Sequence, residues 1–281
     1  MTQTRTRVIT AVIAAAVVLS IILLYGNVGL RFLVLFIVLC GLHELQSMLK
    51  ASGIDIYWLL TGISSCAFAL LSTRIEVMPL ILLISILAVL LRGLLSRREP
   101  PTALTQVAFS IFAIVFLPFL ASFVVCLGAI RIPCERLRCE SVPIGLKLVL
   151  LLLLATCACD IAAYFCGRRW GKHKALERIS PNKTLEGFAA GICASMLVSV
   201  VACLMLFRGV SIVQAAILGL LLGVFGQLGG FCMSLIKRAA GRKDAGTLLP
   251  GHGGMLDRTD SLLFNAPVMY VFATTVLEKA L

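Results

Sequence analysis

The sequence predicts an all-α, polytopic membrane protein with about nine transmembrane helices, on three observations. The 281 residues are 60% hydrophobic and only 14% charged, where a soluble domain carries roughly a quarter charged residues. Apolar runs of about 20 residues recur along the chain, matching a hydrocarbon core roughly 30 Å thick. The alternating pattern of a membrane barrel is absent, which leaves helices as the way to bond every backbone amide inside lipid.

The runs fall at residues 8–24, 28–48, 56–71, 77–95, 103–130, 144–166, 187–207, 212–236 and 262–277. The first follows Arg5 and Arg7. It is long for a signal-peptide core and lacks a small-x-small cleavage site, so it reads as a retained span. Only short connectors remain, so the chain reads as one integral membrane domain over 1–281. Its N-terminal spans fill about 1–142, and a second half covers about 143–281. The 11 cysteines are scattered. Most sit in apolar runs as small hydrophobes, and no paired CxxC spacing of a zinc site occurs. Cys134 and Cys139 share an outer loop, where either a disulfide or two free thiols is open.

Formal net charge is +12. In a membrane protein this reads as loop bias toward the cytoplasm and anionic headgroups, with no nucleic-acid partner. Of the 25 Lys and Arg residues, 17 fall on the side of the N-terminus and the loops after spans two, four, six and eight. That side should be cytoplasmic, with the C-terminus outside. The two longest polar loops, 167–186 and 237–261, then face the cytoplasm, where nucleotides are found.

The densest polar stretch runs from Ser234 to Ser261. Lys237, Arg238, Arg242, Lys243 and Arg258 could neutralise phosphates. Asp244, Asp257 and Asp260 could hold a hard cation through oxygen. Gly251, Gly253 and Gly254 flank His252, so the backbone can turn tightly and approach a ligand. Asp257 and Asp260 are three apart and share a face on a helix. Basic groups, carboxylates and a glycine turn at a membrane surface suggest a metal–nucleotide site. A second stretch carries Asp160 and Tyr164 four apart at the inner end of span six, an acid in a span being costly and usually functional. It continues through Gly167-Arg168, Gly171-Lys172-His173 and Ser180-Pro181-Asn182-Lys183-Thr184-Leu185-Glu186-Gly187. Thr184 reads as the cap of span seven with Glu186 near its positive end. Lys183 reads as a phosphate binder. His43 and Glu44, near the inner end of span two, stand out only as polar residues at a surface.

These stretches resemble the phosphatidate cytidylyltransferase (CDP-diacylglycerol synthase) family. The first matches its signature over 27 positions: Ser234-x-x-Lys237-Arg238, Lys243-Asp244-x-Gly246, then Leu249-Pro250-Gly251-His252-Gly253-Gly254-x-Leu256-Asp257-Arg258-x-Asp260. The resemblance covers the C-terminal half and makes 143–281 the catalytic half; the N-terminal half matches only as hydrophobic spans. It implies that CTP and phosphatidate give CDP-diacylglycerol and pyrophosphate, in phospholipid biosynthesis at a bacterial inner (plasma) membrane. It implies Mg2+, with a second cation left open, and membrane lipids as surroundings; a homodimer is left open. Lys237, Asp244, Asp257 and Asp260 are then the catalytic candidates. Lys183, Ser234, Arg238, Lys243, His252, Arg258 and Tyr164 are candidates for substrate. Asp257, Asp260, Asp244 and Asp160 are candidates for metal.

One departure stands inside the resemblance. Before the signature the family reads Gly-Asp-Leu-x-Glu-Ser, whereas this chain reads Gly229-Gly230-Phe231-Cys232-Met233-Ser234. Gln227, Gly230, Ser234 and Lys237 recur at helical steps along one stripe of span eight, so an acid at 230 would face the polar side. The ligand set is short by one. Water or Asp160 fills the gap, or the enzyme is weakened, or the chain is an inactive relative that binds lipid.

Overall fold

The computed structural model describes residues 2–131, 143–207, 210–246, 248 and 253–277. Cys134, Cys139 and His252 lie outside them. Nine helices carry the described chain: α1 (Thr2–Ala51), α2 (Trp58–Leu71), α3 (Met78–Leu94), α4 (Pro100–Ile114), α5 (Leu120–Ala129), α6 (Ile144–Trp170), α7 (Leu185–Leu206), α8 (Ile212–Ala239) and α9 (Leu256–Phe272). One small hairpin, β1 (Lys174–Leu176) with β2 (Ser180–Thr184), joins α6 to α7.

Among the described residues, six helical stretches are long and apolar enough to cross a membrane: Ala16–Ala51, Ile75–Leu94, Pro100–Ala129, Ile144–Trp170, Leu185–Leu206 and Ile212–Ala239. The expected nine are not recovered, for identifiable reasons. The runs 8–24 and 28–48 belong to one element, α1, broken at Gly26 by a non-helical turn (φ 55°, ψ −137°). The run 56–71 yields only the 14 residues of α2, which rise about 21 Å, short of a hydrocarbon core. The run 262–277 is shared between α9, whose 17 residues open on the charged turn Leu256-Asp257-Arg258, and a π turn at Ala273–Leu277. The run 103–130 is continuous, but Pro118 lacks an amide proton and opens a wide π turn at Val115–Phe119 between α4 and α5.

The residues divide into two compact units, 1–126 with 237–258, and 127–236 with 259–281. In the first, Leu42, Leu45, Met48, Phe68, Met78, Ile114 and Leu117 are buried, and Phe68 meets Phe119 edge to face at 5.8 Å. Polar side chains in α2 and α4 turn back onto their own helix: Ser64 donates to the Leu60 carbonyl, Ser65 to Thr61 and Ser110 to Gln106, at 2.7–2.8 Å. Bonded internally, they cost little in lipid. Leu24, Leu59, Leu87 and Leu94 point outward, Leu94 with 81% of its surface open. Outward leucine suits an apolar solvent.

In the second unit α6 packs along α7. The hairpin aligns Lys174 with Thr184 and Leu176 with Ser180, and Thr184 Oγ1 accepts the Gly187 amide at 3.2 Å, the expected cap of α7. The inner face of α8 is lined by glycines that let neighbours approach. A Cβ at Gly223 would lie 2.9 Å from the Ile192 backbone, and one at Gly226 would lie 2.6 Å from Asn265 Nδ2. Asn265 in turn donates to Thr156 at 2.9 Å, and Gln227 donates to the Phe188 carbonyl at 2.9 Å.

Candidate active site

In the first unit the polar loop begins where α8 ends. Gly241 takes the left-handed conformation (φ 65°), its amide donates to the Arg238 carbonyl at 3.0 Å, and the Arg242 amide donates to the Lys237 carbonyl at 2.8 Å. This paired closure is the glycine stop that satisfies carbonyls left over at a helix end. The loop returns to Asp257 at the start of α9. Lys237 Nζ lies 2.6 Å from Asp257 Oδ1. Asp257 Oδ2 accepts the Ala245 amide at 2.9 Å and the Gly254 amide at 3.1 Å. Both side chains are largely shielded, at 16% and 9% exposure, so each charge depends on the other. Arg238, Lys243, Asp244 and Arg258 are exposed.

Glu44 completes this cluster. It is 5% exposed and accepts the amides of Met255 at 2.8 Å and Leu256 at 3.0 Å, the open N–H groups at the head of α9. Its place at the end of an apolar run suggests a surface residue; the structure buries it. The available signal was an acid closing an apolar span.

The second unit holds another cluster. Lys183, on β2, places Nζ 4.5 Å from the centre of the Phe231 ring, a cation–π distance. The same ammonium stands over the bare backbone of Gly230: a Cβ there would lie 2.5 Å from Lys183 Nζ and 3.7 Å from Asp260 Oδ2. The nearest atoms to the vacant side-chain position therefore belong to Lys183 and Asp260, and not to Asp160, which is exposed. Asp260 Oδ1 accepts the Ser261 amide at 2.7 Å. Ser234, expected on substrate, donates its hydroxyl to the Gly230 carbonyl at 2.7 Å. Tyr164 is exposed and accepts from Arg168 at 3.2 Å. His173 Nδ1 lies 2.7 Å from Glu186, which thereby ties the hairpin to the head of α7. Phe231 was not foreseen as a partner of Lys183.

The expected metal ligands do not form a cage by themselves. Among the described residues no three His, Cys, Asp or Glu side chains gather as a metal site, and the Asp257 oxygens are held by Lys237 and two amides.

Fold and clusters define a helical membrane protein with aspartates and lysines set on a glycine-bearing polar loop. The model of the Cytidylyltransferase family matches residues 5–276, and the chain belongs to that family. It is 32% identical over 267 residues to a phosphatidate cytidylyltransferase of Staphylococcus epidermidis, covering 95% of this chain and 98% of that protein. It is 44% identical over 138 residues to a phosphatidate cytidylyltransferase of Synechocystis, covering 49% of this chain and 47% of that one. Over 128 residues it is 47% identical to the uncharacterized protein YnbB of Escherichia coli K12, covering 46% of this chain and 43% of that one. The matched segment thus spans less than half the length of the last two relatives.

Proposed function

We propose that this protein transfers the cytidylyl group of CTP to phosphatidate, giving CDP-diacylglycerol and pyrophosphate. The observation that supports this most is likeness over almost the whole chain, residues 5–276, together with an intact 27-residue signature. A phosphate oxygen of the lipid attacks the α-phosphorus of CTP, the bond from that phosphorus to the β-bridging oxygen breaks, and pyrophosphate leaves. The nucleophile is already an anion, so little base help is needed. The obstacle is repulsion between two polyanions, which fixed cations reduce in the transition state. Lys183, Arg238, Lys243 and Arg258 are the proposed phosphate binders, and His252 is a further one.

Magnesium, when bound, supplies Lewis-acid screening of the triphosphate. The proposed ion arrives with the nucleotide, because magnesium is commonly held by one or two carboxylates plus phosphate oxygens. Asp260 and Asp257 are the proposed carboxylates, with Asp244 and Asp160 behind them. The test is transfer of radiolabel from CTP into chloroform-soluble lipid by protein purified in detergent. Label that stays in the aqueous phase with every phosphatidate species would remove the proposal.

A second reading, a lipid-binding relative without turnover, is favoured by one feature, the missing acid at Gly230. The orientation is proposed with the polar loops cytoplasmic and, for nine spans from an inside N-terminus, the C-terminus outside. A reporter fused after Leu281 should then behave as extracytoplasmic, and cytoplasmic activity there overturns the nine-span count.

A further inference from the structure

We infer that Glu44 is a positioning residue that holds the phosphate-binding loop in its working shape before nucleotide binds. The inference rests on the proposed reaction for its consequence, and on geometry within the first unit for its substance.

Glu44 is buried on α1, far from the loop in sequence, yet it meets the loop at two places. Its oxygens accept the amides of Met255 and Leu256, where the loop enters α9. Gly246 and Gly254 lie against the same carboxylate. A Cβ on Gly246 would lie 2.6 Å from Glu44 Oε1, and a Cβ on Gly254 would lie 2.5 Å from Oε2 and 2.7 Å from the Gly246 amide nitrogen. At those distances a side chain would force Glu44 to shift, and at Gly254 the backbone of Gly246 as well, so two glycines of the loop are seats for one carboxylate. Leu256 packs on Gly41, one turn back along α1, where a Cβ would sit 2.8 Å from Leu256 Cδ2. Arg242 Nη1 adds a bond to Ser47 Oγ at 3.2 Å. One face of α1 therefore carries Gly41, Glu44 and Ser47, at three-residue steps, against the loop.

The consequence follows from the cost of ordering a chain. A long loop with exposed Lys243, Asp244 and Arg258 must lose conformational freedom to bind a triphosphate. With Gly246 and the segment from Gly254 to Leu256 closed on Glu44, part of that loss is incurred in folding. Without Glu44 it is incurred on each binding event, so nucleotide affinity falls while the chemistry of the bound complex changes little. The N-terminal half, which carries Glu44, thus has a specific task.

The experiment compares wild type with Glu44→Gln, Glu44→Asp and Gly246→Ala in detergent. Two quantities are read: tryptic cutting after Arg242 and Lys243, scored by mass spectrometry of the new ends, and the KM and kcat for CTP. Glu44→Gln keeps the length and one acceptor oxygen, so partial function is expected. Glu44→Asp keeps the charge but is one methylene short, so it should be worse than Gln. Gly246→Ala keeps Glu44 and disturbs its seat, which decides the matter if Glu44 variants fail to fold. The expected result is roughly tenfold faster cutting in Glu44→Asp and Gly246→Ala, with CTP restoring protection, and a KM raised about tenfold with kcat within about twofold. A role in charge alone would rank Asp above Gln. Wild-type cutting rates and KM in both Glu44→Asp and Gly246→Ala overturn the inference. Cutting without nucleotide needs no turnover, so absence of transferase activity leaves that arm intact and counts only against the proposed reaction.

Discussion

Asp257→Asn is expected to lower turnover about a hundredfold, on the order of 3 kcal/mol in the barrier. The change also touches stability. Asp257 Oδ1 lies 2.6 Å from Lys237 Nζ, with both side chains mostly shielded. Removing the anion leaves an uncompensated ammonium, which for a buried pair costs about 3 kcal/mol. A loss of activity alone would therefore confuse catalysis with unfolding. The double change Lys237→Met with Asp257→Asn separates them, because replacing both partners removes the stranded charge. Thermal stability should recover most of the way in the double variant, while turnover stays low. If turnover recovers with stability, the pair is only a brace for the loop and the catalytic assignment of Asp257 and Lys237 fails.

At Gly230 the expected effect has the opposite sign. Gly230→Asp should raise turnover about tenfold at limiting magnesium, equivalent to about 1.4 kcal/mol. The added carboxylate would lie beside Asp260, whose Oδ2 is 3.7 Å from the position of the new Cβ. Two neighbouring carboxylates hold a hard cation better than one. The ammonium of Lys183 now occupies that space, but it is the far end of a flexible side chain and can turn aside. The same geometry makes Lys183→Met the complementary test: it removes a cation set on Phe231 and should cost about a hundredfold in turnover. Binding of Mn2+ to the protein without nucleotide, followed by electron paramagnetic resonance, gives a readout apart from activity. Wild type should show weak binding and Gly230→Asp markedly tighter binding. Should Gly230→Asp instead lose activity while Mn2+ affinity is unchanged, the new acid has merely captured Lys183, and the missing carboxylate is not what limits this chain.

What the sequence disclosed and what it hid divide along a physical line. Local signals were readable. Thr184 before an apolar run caps α7, and the gap between the first two runs falls on Gly26, where α1 breaks. Run length read alone did not show that α2 has only 14 residues or that α9 begins with charges. Partnerships made by packing were not readable. Glu44 and its amide partners are 211 and 212 residues apart, and no periodicity links them. Likewise the stripe along span eight identified Gly230 as a vacancy, but only the fold shows that Lys183 of the hairpin stands over it. Of the two substitutes the sequence left open, water and Asp160, Asp160 is exposed and is not among the atoms nearest to the vacant position.

The central claim is a cytidylyl transfer, and the fate of the phosphates tests it most directly. Protein purified in detergent is given phosphatidate, magnesium and CTP labelled either at the α- or at the γ-phosphate. The account predicts α-label in a lipid that co-migrates with CDP-diacylglycerol, γ-label in pyrophosphate, and equal amounts of each. Folded protein that binds phosphatidate yet moves neither label, in wild type and in Gly230→Asp alike, would contradict it.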